Sequence, residues 1–229
     1  MLTDVQKDFD RIALLPESSW NVNTQYHPYL LRALPSRVGQ SLDVGCGTGT
    51  FTGLLAERSD SVVAIDLSPN MIQIARSRLQ GVQNVHFRTG DFLITDFPKA
   101  SFDCVSAIAV MHHSDPEAFL AKVRGLLRPG GVLLLLDLYT CRTLVDYLAA
   151  GSALVVNPIL RLVHTGTMIT RRSVRDAWRE HGQSDRYLTL SDISQLASRS
   201  LPNATLRRHL LWRYSLVWKK PLEEPKTRV

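Results

Sequence analysis

LDVGCGTGTF occupies residues 42–51. An apolar run ends at Val44, glycines follow at 45, 47 and 49, and a helix-compatible segment begins at Thr50. Glycine tolerates positive φ and carries no Cβ, so the backbone can turn tightly and lie against a ligand. A glycine loop between a strand and a helix faces a cofactor in many α/β proteins. A dinucleotide-binding loop wants GxGxxG, whose last glycine would fall on Thr50; the pattern here is GxGxG. That departure disfavours a nicotinamide oxidoreductase.

Outward from the loop, strands and helices alternate. SLDVG (41–45), SVVAID (61–66), NVHFRTGD (84–91), SFDCVSAIAV (101–110) and VLLLLDLY (132–139) read as strands. Thr50–Arg58 reads as a helix. Ser68-Pro69 and Asp115-Pro116 each read as a helix cap followed by proline at the first helical position. Strand–helix alternation predicts a parallel sheet covered on both faces. RPGG (128–131) reads as a turn. Residues 140–200 break the alternation and read mostly as helix, at 143–163 in one or two pieces, about 171–182 and about 191–199. Residues 203–210 and 211–220 read as adjacent strands, too close for a crossover helix and so antiparallel.

The chain has 229 residues, 45% hydrophobic, with a mean hydropathy of −0.04, as expected of one globular domain with an elaboration. MLTDVQKDFD is too polar for a secretory signal. The most apolar stretch, 143–163, carries Asp146, Asn157, Pro158 and Arg161; it reads as buried or lid helices rather than a membrane span. Cys46, Cys104 and Cys141 lack metal or disulfide spacing, which points to a reducing, cytoplasmic setting and no metal. The net charge of +6 is uneven: residues 161–229 hold 14 Lys and Arg against 6 Asp and Glu. Solvated helix faces explain this first; a surface for an anionic substrate, nucleic acid or membrane is the sharper reading.

Two carboxylates complete the pattern around the glycines. Asp66 ends the second strand, 21 residues after Gly45, where a carboxylate can accept two hydrogen bonds from a ribose diol. Asp91 ends the third strand with Phe92 beside it, suited to an adenine edge and face. LDVGCGTG, AIDLSPNMI, GDF, FDCVSAIAVMHH and LLRPGG together resemble the successive motifs of class I S-adenosylmethionine (SAM)-dependent methyltransferases, in particular the small-molecule type 11 group. The resemblance runs from about 38 to 139.

The resemblance implies a Rossmann-like seven-stranded sheet, mostly parallel with an antiparallel last strand, helices on both faces and helical lid elements. It implies an N-terminal helical cap over 1–36, a methyltransferase domain over 37–220 with a lid and specificity insertion at 140–200, and a loose tail over 221–229. The cofactor would be SAM, leaving as S-adenosylhomocysteine. Gly45, Cys46 and Gly47 would pass its methionine part through backbone, and Gly49 would let the helix approach. Asp43 would lie near its amino end, Asp66 would hold the ribose, Leu67 and Met71 would pack near the adenine, and Asp91 and Phe92 would bind it. Ala107 and Ile108 would offer backbone carbonyl to the ammonium.

Transfer from a sulfonium is an in-line displacement that needs alignment more than chemistry. His112 and His113, ending the fourth strand, are the candidate bases, with His113 preferred. Trp20, Tyr26 and His27 form a second cluster, either a lid over cofactor and substrate or a staple into the following helix; Tyr26 would then reach the SAM carboxylate. Arg171, Arg172 and Arg175 read as a solvated face or a receptor for an anionic substrate, and the aromatics of 211–218 as core. The function expected is methyl transfer to an O, N or C nucleophile of a small, anionic or aromatic metabolite by a monomer or homodimer. Alternatives are an RNA or other nucleic-acid methyltransferase and a non-catalytic SAM-binding protein. Against the former, the fourth strand ends AIAVMHH rather than in a nucleobase-amine signature.

Overall fold

The computed structural model describes residues 4–15, 20–169, 171–182 and 185–222. Seven strands form one sheet: β1 (Val38–Val44), β2 (Ser59–Asp66), β3 (Val85–Thr89), β4 (Phe102–Ile108), β5 (Leu127–Leu138), β6 (Thr205–Arg208) and β7 (Arg213–Lys219). Their order is β3-β2-β1-β4-β5-β7-β6. The first five are parallel, and β7 is antiparallel to both β5 and β6. This is the Rossmann-like sheet with reversed final pairing that the resemblance implied. β5 starts earlier than expected: its first residues, including RPGG, belong to the strand, whose Leu127 pairs with Phe102.

The helices are α1 (Asp4–Ala13), α2 (His27–Leu31), α3 (Thr50–Ala56), α4 (Pro69–Arg78), α5 (Pro116–Leu126), α6 (Leu144–Thr165), α7 (Arg172–His181) and α8 (Leu190–Ser200). Local sequence explains their starts. The Ser68 hydroxyl accepts from the Met71 N–H, and the Asp115 carboxylate from the Ala118 N–H, each before a proline that needs no donor. Thr143 with Asp146, and Thr189 with Asp192, form capping boxes for α6 and α8.

β5 divides the core. Leu133 and Leu135 pack with Phe119, Leu120 and Ile193 of α5 and α8. Leu134 and Leu136 pack with Leu30, Phe51 and Leu55 of α2 and α3. Alternate residues therefore serve opposite faces, and all four leucines are fully buried. Tyr214, Leu216 and Trp218 of β7 are core, as their alternation predicts. α1 is tied to α4: the Ser68 hydroxyl donates to Asp10 at 2.5 Å, and the Asn70 amide donates to the Asp10 carbonyl at 3.1 Å.

The stretch expected as buried or lid helices is one continuous helix, α6, which runs through Pro158. It is not buried, and by length and composition it could cross a membrane. Its polar residues Asp146 and Asn157 face the protein, so their presence in the sequence says nothing against an apolar outer face. Most of the expected loose tail, 223–229, lies outside the described residues.

Candidate functional site

A cleft of about 700 Å³ opens at the carboxyl ends of β1, β2, β3 and β4, where ligands of open α/β sheets bind. Phe9 and Ile12 of α1, Asn21, Val22 and Asn23, and Val174, Trp178 and His181 of α7 border it. The cleft is thus a sheet edge enclosed by helices from both ends of the chain.

The glycine loop forms its floor. Gly45 and Gly47 have φ of 61° and 52°. A Cβ on Gly45 would fall 2.3 Å from Val110, whereas one on Gly47 would meet nothing within 4 Å. Gly45 is therefore required by packing and conformation, Gly47 by conformation alone. Both line the cleft. Gly49 stands behind it, where a Cβ would press on Ala75 of α4 at 3.1 Å.

Asp66 fixes the loop. Its carboxylate accepts from the Gly47 N–H at 2.8 Å and the Ser68 N–H at 2.9 Å, and it lines the cleft. Burial raises its pKa against the pull of those amides, with Asp10 adding to the rise. Each oxygen keeps a further lone pair toward the cleft's side of the loop.

Asp43 is one layer deeper. It is fully enclosed and accepts from the Ser106 hydroxyl at 2.6 Å and the Thr52 hydroxyl at 2.7 Å. Burial pushes its pKa up to about 6 against those two hydroxyls. It does not line the cleft, and neither do Cys46, Gly49 or Ala107. The Cys46 side chain packs with Ala64 and Ile72, and burial raises its thiol pKa. Asp43 thus braces the loop from below, one layer beneath the cleft lining.

Leu67, Met71, Asp91, Phe92 and Ile108 do line the cleft. Asp91 accepts from the Leu93 N–H at 2.8 Å, which fixes the turn after β3. Beyond Ile108, Ala109 takes a φ of 57° while its N–H stays bonded to the Leu136 carbonyl at 2.7 Å. Such a conformation is uncommon for alanine; it turns Val110 and both histidines toward the cleft.

His112 and His113 lie together, ring centroids 3.8 Å apart. His112 Nδ1 meets Asp137 Oδ1 at 2.5 Å, and its own backbone N–H donates to Asp137 Oδ2 at 3.1 Å. His113 Nδ1 lies 3.3 Å from Asp185 Oδ1, and burial lowers its pKa. The Tyr187 hydroxyl donates to Asp185 Oδ2 at 2.6 Å, and His112 Nε2 is 3.8 Å from that oxygen. Burial opposes charge on Asp185, yet the hydrogen bonds from His113 and Tyr187 hold it at about 2. His181 joins the cluster, with Nδ1 3.3 Å from Asp8 and Nε2 3.9 Å from Asp185. The spacing of His112, His113 and Asp185 would also admit a metal ion.

The aromatic cluster before α2 is not a lid. Trp20 stacks on His164 of α6, centroids 5.6 Å apart. Tyr26 donates its hydroxyl to the Leu210 carbonyl at 2.8 Å and cannot also serve a ligand carboxylate in the cleft. His27 packs edge-on to Phe51, and burial lowers its pKa to about 4. All three lie outside the cleft; the intervening Asn21–Asn23 line it instead.

Several lining residues carried no sequence signal: Asp185 and Tyr187 from the segment between α7 and α8, and Arg213 from β7. Arg213 donates to Asn23 Oδ1 at 2.7 Å. Asp137 was detectable in principle, as a carboxylate at the end of a run of four leucines that must find a buried partner.

A nucleotide-scale cleft at a glycine loop, with a carboxylate ending the next strand, suits an adenosine-containing cofactor. Residues 42–135 match the model of the family described as a methyltransferase domain. An uncharacterised methyltransferase of Mycobacterium bovis is 27% identical over 90% of this chain and all of its own length. A ubiquinone biosynthesis O-methyltransferase of Xylella fastidiosa is 29% identical over 82% of this chain and 80% of its own. Among solved structures, an N-methyltransferase of Bradyrhizobium japonicum in complex with S-adenosylhomocysteine superposes with a TM-score of 0.64 at 16% identity, covering 96% of this chain and 100% of the other. Residues 42–135 are thus a methyltransferase domain, similar to those of the class I SAM-dependent type 11 group.

Proposed function

We propose that this enzyme moves the methyl group of SAM to an O, N or C nucleophile of a small acceptor held in the same cleft. One observation carries the reading: the left-handed Gly45–Gly47 loop, Asp66 and His112, which the buried Asp137 holds from behind, all border one cavity. The cavity fits the cofactor chemically. Bare backbone at Gly47 leaves room for the methionine part, Asp66 has acceptor capacity for ribose hydroxyls, and Asp91 and Phe92 suit the adenine. Bound there, SAM supplies an electrophilic methyl on a sulfonium.

The protein's part is alignment, exclusion of water and proton removal. α1 and α7 cover the cleft from opposite ends of the chain. Asp137 holds His112 with Nδ1–H donated, which leaves Nε2 to take a proton from the acceptor. His112 therefore replaces His113 as the preferred base, since burial works against a proton on His113. Arg213 and Tyr187 give the acceptor end a cation and a polar rim beside Phe9 and Trp178, which suits an aromatic or anionic small molecule. The free cysteines suit a reducing compartment, the cytoplasm being the location proposed.

Calorimetric titration with S-adenosylhomocysteine, in parallel with NAD and with the Asp66→Ala variant, tests the cofactor. Micromolar binding of S-adenosylhomocysteine alone, weakened about tenfold or more in the variant, is expected. Preference for NAD, or no binding, overturns the reading. A methyl-label screen against metabolite extracts and RNA then separates a small acceptor from a nucleic acid, and cofactor binding without any labelled product would mark a non-catalytic binder.

A further inference from the structure

We infer that α6 is a membrane-surface helix that lays its apolar face on lipid carrying anionic headgroups. The inference stands apart from the methyl-transfer reading. α6 is amphipathic in the inverted sense. Asp146, Ala153 and Asn157, about one or two turns apart on one side, face the domain. Asp146 is buried, bonded at 2.9 Å to Arg208 of β6. The opposite side carries Leu148 (67% exposed), Val155 (63%) and Leu144 (74%), with Ile159 and Val163 continuing the stripe. Helices of soluble domains turn this side inward. Exposed Met168 and Ile169 extend the apolar surface past the helix end.

Charge identifies what covers it. From residue 138 to residue 175 the sole carboxylate side chain is Asp146, already paired with Arg208. The same span holds five arginines, of which Arg142, Arg171, Arg172 and Arg175 are exposed and flank the helix at both ends. Tyr147 and Trp178, also exposed, are of the type that sits at headgroup depth. An apolar face framed by cations, of which Arg172 also pairs with Asp176 at 3.7 Å, fits an anionic lipid surface. A second copy of the chain fits less well, because pairing the faces brings together more arginines than the neighbouring Asp176 compensates. The paired Asp146 on the inner side keeps α6 on the domain, so it lies in the interface rather than crossing it. α7 follows directly, and its Val174 and Trp178 line the cleft, which places the cleft's wall beside the lipid.

The test is flotation of the full chain with vesicles of phosphatidylcholine alone and of phosphatidylcholine mixed with phosphatidylglycerol. Recovery with the anionic vesicles is expected, falling about tenfold or more at high salt and in an Arg171→Glu/Arg172→Glu variant. A Leu148→Glu/Val155→Glu variant should lose recovery while its thermal midpoint stays that of the wild type, because both side chains are exposed. The salt series needs no variant, so a misfolded variant cannot hide the answer. No recovery with either vesicle overturns the inference. So does equal recovery with both vesicles that is insensitive to salt, or a dimer in light scattering that the glutamate pair splits in the absence of vesicle binding.

Discussion

Asp137 accepts two hydrogen bonds from His112, one from its backbone N–H and one from its imidazole Nδ1 at 2.5 Å. The carboxylate is fully buried at the end of β5, so it fixes both the position and the tautomer of the ring. Asp137→Asn should lower kcat by about a hundredfold, the usual worth of a positioned general base. S-adenosylhomocysteine affinity should hold. Calorimetry alongside kinetics distinguishes this from collapse of the sheet edge, which would weaken both.

Gly45 and Gly47 share a left-handed backbone but differ in surroundings. Gly45→Ala would press on Val110 and should cost more than about 2 kcal/mol. Gly47→Ala meets open space and should cost only the backbone strain, about 1–2 kcal/mol. Yet Gly47→Ala should be the more harmful to cofactor binding relative to its stability loss, since its Cβ would enter the cleft. Thermal unfolding paired with calorimetry checks both halves.

His27 is buried against Phe51, which lowers its pKa from 6.5 to about 4. Between those values the unfolded chain binds a proton that the folded one refuses. Stability from this group is complete above pH 6.5 and is lost as pH falls toward 4, by roughly 2–3 kcal/mol. Asp43, raised to about 6, acts in the opposite sense over much of that interval. The comparison is therefore between wild type and His27→Gln by denaturant unfolding at pH 5 and pH 8. The variant should lose less stability on acidification; an identical loss in both proteins refutes the assignment.

Asp146 caps α6 through the N–H groups of Thr143 and Arg142 and pairs with Arg208. Those bonds, Thr143's first, hold its pKa at about 2. Its contribution is complete above the unfolded value of 3.8 and disappears as pH falls from there to about 2. Asp146→Asn should cost about 1–2 kcal/mol at neutral pH. Hydrogen exchange should show the start of α6 opening before the sheet does.

His112, His113 and Asp185 are close enough to share a metal ion, but hydrogen bonds already occupy them: Tyr187 and His113 on Asp185, and Asp137 on His112. Methyl transfer should therefore survive treatment with a chelator and dialysis without loss. Loss on treatment and recovery with a divalent cation would reassign the cluster.

The parallel core was readable along the chain because its signals are local. A strand's apolar run, the Ser68-Pro69 cap and the GxGxG loop each act within a few residues. Asp66, Asp91 and the histidines were readable too, since β-strand register delivers successive strand ends to one edge of a parallel sheet. For Trp20, Tyr26 and His27 the sequence left a lid and a staple both open, because aromatic residues before a helix look alike whether they face a ligand or a core. The choice was made by partners far away in sequence: His164, the Leu210 carbonyl and Phe51.

The sequence by itself determined the sheet, its glycine loop and the carboxylate Asp66 ending the next strand, because each follows from short-range spacing. Tertiary structure alone decided which side chains close the site. Asp185, Tyr187 and Arg213 reach the cleft, and Asp137 reaches His112 behind it, only after β5, β7 and the segment before α8 are placed. It also decided the direction of α6. A helix's periodicity marks an apolar side, but whether that side meets a core or the outside depends on whether another element arrives to cover it.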